Sequence, residues 1–228
     1  VPEARAESAD GVITFTVNPD AVRPLPRLGL GVASHGQPLS QKALGRLRAL
    51  NLSHLCVDLN LSQAMVEPQL VRAATEASEL RVPLEIALVV SNTAEEELKA
   101  LRATVERVKP AVAAWLIFHG AEKSTAEKWV QLARKYLADY DPKAKIGAGT
   151  NAYFTELNRG RPPVSALDLV CYSANPQVHA IDNASVTENL EAQAETGASA
   201  RQFAGGLPIA ITPITLRPRF NPNATGPE

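Results

Sequence analysis

Apolar residues fall along this chain in short blocks set at a steady interval. The blocks Leu28–Ala33, His54–Leu59, Leu84–Val90, Ala113–Phe118, Ile146–Thr150, Leu167–Tyr172 and Leu207–Ile211 are mostly continuous rather than alternating. That is the pattern of parallel strands covered on both faces. Between them the apolar period lengthens to that of a helix. Ala43, Leu44, Leu47 and Leu50 share one face, and Leu70, Val71, Ala74 and Ala77 another. Start signals accompany these runs: Ser40 as an N-cap, and the pairs Thr93 with Glu96, Ser124 with Glu127 and Ser185 with Glu188 as capping boxes. The connection from Tyr153 to Ala166 has no convincing helical pattern. It reads as a long polar loop, stiffened at its exit by Pro162 and Pro163.

Seven strands repeating every thirty residues or so keep the pace of a (β/α)8 TIM-barrel, about 250 residues in eight units. After Ile211 the chain turns polar and proline-broken. The expected fold is therefore an α/β barrel truncated after its seventh strand, with the last βα unit beyond Glu228 or replaced. A doubly wound open sheet is the alternative. Against it, no Gly-x-Gly-x-x-Gly turn occurs, and Gly29 and Gly31 lie inside a strand. Residues 1–26 read as a linker or the edge of a preceding β domain, because Val12–Val17 alternates and Pro19, Pro24 and Pro26 then break regular structure. Residues 27–228 form the barrel domain.

Composition narrows the function classes. The 23 Lys and Arg nearly balance 24 Asp and Glu, so no electrostatic footprint for nucleic acid is present. No apolar run approaches the roughly 20 residues that cross a bilayer. The first ten residues are polar and acidic, unlike a secretory signal, and a cytoplasmic location is expected. Chain entry at Val1 without methionine suggests a piece of a longer polypeptide. Cys56 and Cys171 sit in strand-like apolar runs and read as small buried hydrophobes rather than a disulfide or nucleophile.

A barrel gathers its chemistry at the carboxyl ends of its strands. There the sequence places His35 after strand one, Asp58 and Asn60 after strand two, and Ser91 and Asn92 after strand three. His119 follows strand four; Asn151, Glu156, Asn158 and Arg159 follow strand five. Strand six supplies Ser173, Asn175, Gln177 and His179, and strand seven Thr212, Thr215, Arg217 and Arg219. His54, at a strand start, belongs to the opposite, structural end. The run Asn151 to Arg159 is the densest, offering a carboxylate, two amides, a phenol, a hydroxyl and a guanidinium, a mixture suited to a polyhydroxylated ligand. The histidines and acids come from separate strands without His-x-His or His-x-x-x-His spacing, so no metal and no cofactor are assigned. No Gly-x-Ser-x-Gly elbow supports a serine triad.

Three stretches are long and unusual in composition: Gly149–Arg159, Asn175-Pro-Gln-Val-His179, and Pro213–Thr225. Together they resemble the central barrel domain of the D-apionate lactonase family, enzymes of branched-sugar catabolism with a glycoside-hydrolase-like barrel. The similarity runs from about Leu28 to Thr225. It implies hydrolysis of a sugar-acid lactone, a small carbohydrate as partner, and additional β domains on the same polypeptide. Such a reaction needs a base for water, donors for an oxyanion and groups for hydroxyls. Chemistry and position then suggest Glu156 as the base, His179 or His119 as the proton donor, and Arg217 or Arg219 against developing negative charge. His35, Asp58, Asn60, Asn151, Asn158, Arg159, Asn175 and Gln177 are the expected substrate contacts. Two other functions stay open: a glycoside hydrolase pairing Glu156 with a second carboxylate such as Asp58, and a non-catalytic carbohydrate-binding barrel.

Overall fold

A computed structural model describes residues 16–20, 24–33, 35–177 and 182–216. Strands and helices alternate as the apolar blocks require. In order they are β1 (Gly29–Gly31), α1 (Gln41–Ala49), β2 (His54–Asn60), α2 (Val66–Leu80), β3 (Leu84–Val90), α3 (Ala94–Val108) and β4 (Val112–His119). Then come α4 (Glu127–Leu137), β5 (Lys145–Tyr153), α5 (Phe154–Gly160), β6 (Leu169–Ala174), α6 (Asn183–Arg201) and β7 (Ile209–Ile214). All seven strands are parallel and lie in sequence order, β1 to β7, in one sheet. Residues 16–20 and 24–28 form no strand or helix, and most of the alternating run 12–17 lies outside the described residues.

Register sorts the strand residues onto two faces. Leu55, Val57, Leu59, Ile86, Leu88, Trp115, Ile117, Ile146, Val170 and Tyr172 join Leu70, Leu98, Leu101, Val130 and Leu137 of the helices in one buried cluster. The alternate residues Ala87, Ala114, Leu116, Phe118, Leu169 and Cys171 form a second cluster on the other face, with Val89 and Ala210 beside it. A sheet that buries both faces, helices outside and its own side chains inside, is a barrel wall. Its curl is nearly complete: Thr212 on β7 donates a 2.7 Å hydrogen bond from Oγ1 to Glu85 Oε1 on β3, across the interior. The expected TIM-barrel with seven of its strands is what the chain forms.

The interior floor is polar. Glu85 is buried, 3.8 Å from His54 Nε2, and His54 Nδ1 meets Ser53 Oγ at 2.8 Å. The imidazole occupies the space a side chain on β1 would take, since a Cβ at Gly29 would lie 2.2 Å from His54 Nε2. Burial, then neighbouring Glu85 and Cys56, push the Cys171 thiol well above its ordinary range. A thiol so held is a poor nucleophile, and Cys56 and Cys171 are not joined in a disulfide.

Four local expectations are corrected. The connection after β5 does carry a helix, α5, short because only Phe154 and Leu157 turn toward the core, followed by a 3-10 turn at Val164–Ala166. Ser124 does not cap α4. Its hydroxyl donates to the Gly160 carbonyl, and Glu122 Oε2 accepts the Ala126 N–H at 2.9 Å instead. Asp182 displaces Ser185 as the cap of α6, accepting the Ser185 N–H at 2.9 Å. Thr93 stands at the N-cap position of α3 without a side-chain capping bond, whereas Ser40 caps α1 as expected.

Candidate active site

The parallel sheet carries every strand's carboxyl end to one rim, where the candidate site lies. On β2, Asp58 and Asn60 pair in register with Ala87 and Val89, so both face the interior. Asn60 Oδ1 accepts from Ser62 N–H at 3.2 Å and from Ser62 Oγ at 2.8 Å, shaping the turn that leaves the strand. At β5 the register slips between Gly149 and Tyr153, a bulge that displaces Asn151 and turns the chain into α5. The bulge is braced from the β4–α4 connection: Thr125 N–H donates to Gly149 O at 3.0 Å, and Thr150 Oγ1 to Lys123 O at 2.5 Å.

Rim residues of β5, β6 and β7 are bonded to one another. Ser173 Oγ lies 3.4 Å from both the Asn151 and the Thr212 carbonyl oxygens. Asn175 is buried, and its amide is engaged at both ends. Nδ2 donates to Thr215 Oγ1 at 3.1 Å, and Oδ1 accepts the Gln177 N–H at 2.6 Å. Asn175 therefore holds the strand ends in place, and Gln177 contributes a backbone bond to the same knot.

Glu156 lies in the first turn of α5 and is only 8% exposed. Its Oε2 is buried with no hydrogen-bond partner. A carboxylate oxygen in that condition is costly, and a ligand or water supplying a donor would relieve it. Asn158 and Arg159, one and two positions after Leu157, are exposed. The Asn158 carbonyl and Oδ1 are both taken by Arg161, at 2.9 Å each.

His119 ends β4 on the helix-facing side of the sheet, in register with Val90. Its ring stacks on Trp129 of α4, centroids 4.5 Å apart and planes 9° apart. Trp129 Nε1–H in turn donates to Glu122 Oε1 at 2.8 Å. Burial pushes the Glu122 carboxyl upward, but bonds from Trp129 and Ala126 and the nearby His119 outweigh it, leaving the group below its ordinary range. His119 Nε2, like Glu156 Oε2, is buried without a hydrogen-bond partner. Glu122 and Trp129 are absent from the sequence-derived site. The only signal for Glu122 is its place three residues after His119.

His35 stands apart. It is exposed, its Nδ1 accepts the Gln37 N–H at 3.1 Å, and its loop is fastened to α2 by Arg72 Nη2 donating to Ala33 O at 2.9 Å. His179, Arg217 and Arg219 lie outside the described residues. A hollow of about 890 Å³ between the ends of α2 and α3, lined by Ser78, Val82, Pro83, Arg107 and Pro110, opens at the strands' amino ends. It is on the far side from the rim and gathers none of the strand-end groups. Among the described residues no helix is long and apolar enough to cross a membrane.

Solved structures share this architecture. The β-glucuronidase of Ruminococcus gnavus, in its apo form, superposes with a TM-score of 0.51 at 15% identity, covering 83% of this chain and 36% of that one. The same enzyme in complex with D-glucaro 1,5-lactone gives 0.50 at 14% identity, over 82% of this chain and 34% of that one. At such identity the likeness concerns the fold. In sequence, the D-apionate lactonase of Brucella anthropi is 30% identical over 209 residues, 87% of this chain and 34% of that protein. This chain thus spans about a third of its relative. The family model described as "D-apionate lactonase, TIM barrel domain" matches residues 28–228, and the chain belongs to that family.

Proposed function

We propose that this barrel serves a hydrolase that opens the lactone of a sugar acid, of the D-apionolactone to D-apionate type, in branched-sugar catabolism. Family membership and the name of the Brucella relative support the substrate class. The observation that carries the chemistry is Glu156, a buried carboxylate beside the β5 bulge with one oxygen unclaimed. In this reading Glu156 takes a proton from water as the water oxygen attacks the lactone carbonyl carbon. The tetrahedral oxyanion then collapses, the ring C–O bond breaks, and the leaving alkoxide takes the proton that Glu156 had accepted from water. His119 supplies a donor near that oxygen, with His179, Arg217 and Arg219 as the further donors and charges the sequence suggests. Asp58, Asn60 and Asn151 face the sugar hydroxyls, with Asn175 and Gln177 fixing the wall behind them. Further β domains of the same polypeptide and a cytoplasmic location belong to the same proposal.

The test is a lactone assay on the full-length protein. Glu156→Gln lowers kcat at least about a hundredfold, the usual size of general-base catalysis; turnover preserved in a folded variant removes Glu156 from the role. Glycoside hydrolysis is the second reading, favoured by Asp58 on the inner face of β2 as a partner carboxylate. It requires separations of about 5–5.5 Å for retention or about 6.5–9.5 Å for inversion. Cleavage of an aryl glycoside in preference to a lactone would establish it. Tight sugar binding without turnover of either would point to a binding barrel.

A further inference from the structure

Among the described residues five buried side-chain atoms lack a hydrogen-bond partner, and two of them, His119 Nε2 and Glu156 Oε2, stand at the carboxyl ends of neighbouring strands. His119 closes β4 and Glu156 follows β5 in α5, and the β4–α4 connection is tied to β5 and α5 by Thr125 to Gly149, Thr150 to Lys123 and Ser124 to Gly160. One of the two is an acceptor. The character of the other follows from its ring. Ala121 N–H points at His119 Nδ1 at 3.3 Å, so Nδ1 offers its lone pair. The proton of a neutral imidazole then sits on Nε2. Glu122 could compete for Nδ1, but it lies 3.9 Å away, and its two oxygens are occupied by the Trp129 indole and the Ala126 amide. The indole covers one face of the imidazole.

We propose that Trp129, anchored by Glu122, is a positioning residue that holds His119 as a neutral imidazole with its Nε2–H presented as a fixed hydrogen-bond donor to a substrate oxygen. The identity of that oxygen, carbonyl or ring oxygen of a lactone, rests on the lactonase reading; the protonation state and the roles of Trp129 and Glu122 do not. A buried donor and a buried acceptor in adjacent connections suit a ligand carrying both an acceptor oxygen and a hydroxyl or water. His119 so held stabilises negative charge without giving up its proton, so an amide can stand in for it. Glutamine places an N–H where Nε2 stands, while asparagine reaches only as far as Nδ1.

Histidine-selective ¹⁵N labelling of the full-length protein, with the His119 signals assigned by loss in H119Q, reads the ring directly. The expected spectrum at neutral pH has Nε2 protonated and Nδ1 bare, and Trp129→Leu converts it to a mixture of tautomers. In the lactone assay His119→Gln keeps kcat/KM within about tenfold of wild type. His119→Ala and His119→Asn lose about a hundredfold or more, the usual cost of an oxyanion donor. A proton on Nδ1, a doubly protonated ring, an unchanged spectrum in Trp129→Leu, or His119→Gln as inactive as His119→Ala would each overturn the proposal. A wild-type protein that opens no lactone would end the lactonase reading, and the spectra would still decide the state of His119.

Discussion

Gly149 lies so close to β6 that a Cβ there would stand 2.0 Å from the Cys171 carbonyl oxygen and 3.0 Å from Leu157 Cδ1. The first contact is with backbone and has no rotamer to escape through. Gly149→Ala is therefore expected to cost about 2–3 kcal/mol, the upper range for overpacking, read as a lower urea midpoint with unchanged slope. This residue was legible: a run of small residues from Ile146 to Thr150 announces close approach. His119 was legible only as a strand-end histidine. β4 is apolar on both faces, Leu116 and Phe118 inside and Trp115 and Ile117 outside, so alternation gives no hint of which way His119 turns. Glu85 escaped notice for a related reason. A single charge at the start of an apolar strand looks like a surface terminus, and only contacts made across the fold, from His54 and from Thr212 127 residues away, show it to be interior.

Elements meet at Asp168. Its Oδ2 accepts the Ile146 N–H at 2.8 Å, and its Oδ1 takes Arg134 Nη2 of α4 at 2.8 Å, while Arg134 Nε reaches the Ala166 carbonyl at 2.9 Å. One carboxylate thus fixes the start of β5, and with it the bulge, against α4 and the 3-10 turn. Burial raises the Asp168 carboxyl, but the Arg134 and Ile146 hydrogen bonds prevail and hold it below its ordinary 3.8. A carboxyl depressed in the folded state contributes stability above the unfolded value and loses it as pH falls through the folded one. Asp168→Asn should cost about 1 kcal/mol at pH 7, a charged hydrogen bond discounted for partial exposure. The gap to wild type should close in thermal melts as pH drops below about 3.8. Seven strands and most helices were readable because their apolar periods are long. α5 was not, since two core contacts in seven residues make no period. At α4 Glu122 accepts the N–H of the N-cap residue Ala126, and at α6 Asp182 takes the cap, because a nearby carboxylate accepts an orphan N–H more strongly than a hydroxyl does.

Across the whole molecule, the bond from Thr212 to Glu85 joins β7, the last strand among the described residues, to β3. The strand count predicted a barrel; how far the sheet curls depends on such interior contacts, which no local pattern encodes. Thr212→Val leaves a buried carboxylate short of a donor and is expected to cost about 1–3 kcal/mol. Hydrogen exchange should rise in β7 while β3 keeps its protection; equal loosening of both strands would deny the bond that role.

The two outermost strands carry a different consequence. Among the described residues β1 and β7 are paired along one side only, and Leu28, Leu30, Ile214 and Leu216 stand exposed beside them. Such a seam is adhesive, because any extended peptide that reaches it finds a ladder half built and greasy flanks to lie on. Colloidal behaviour should therefore follow that seam: left bare it draws chains together, and a segment laid along it would keep the solution clear.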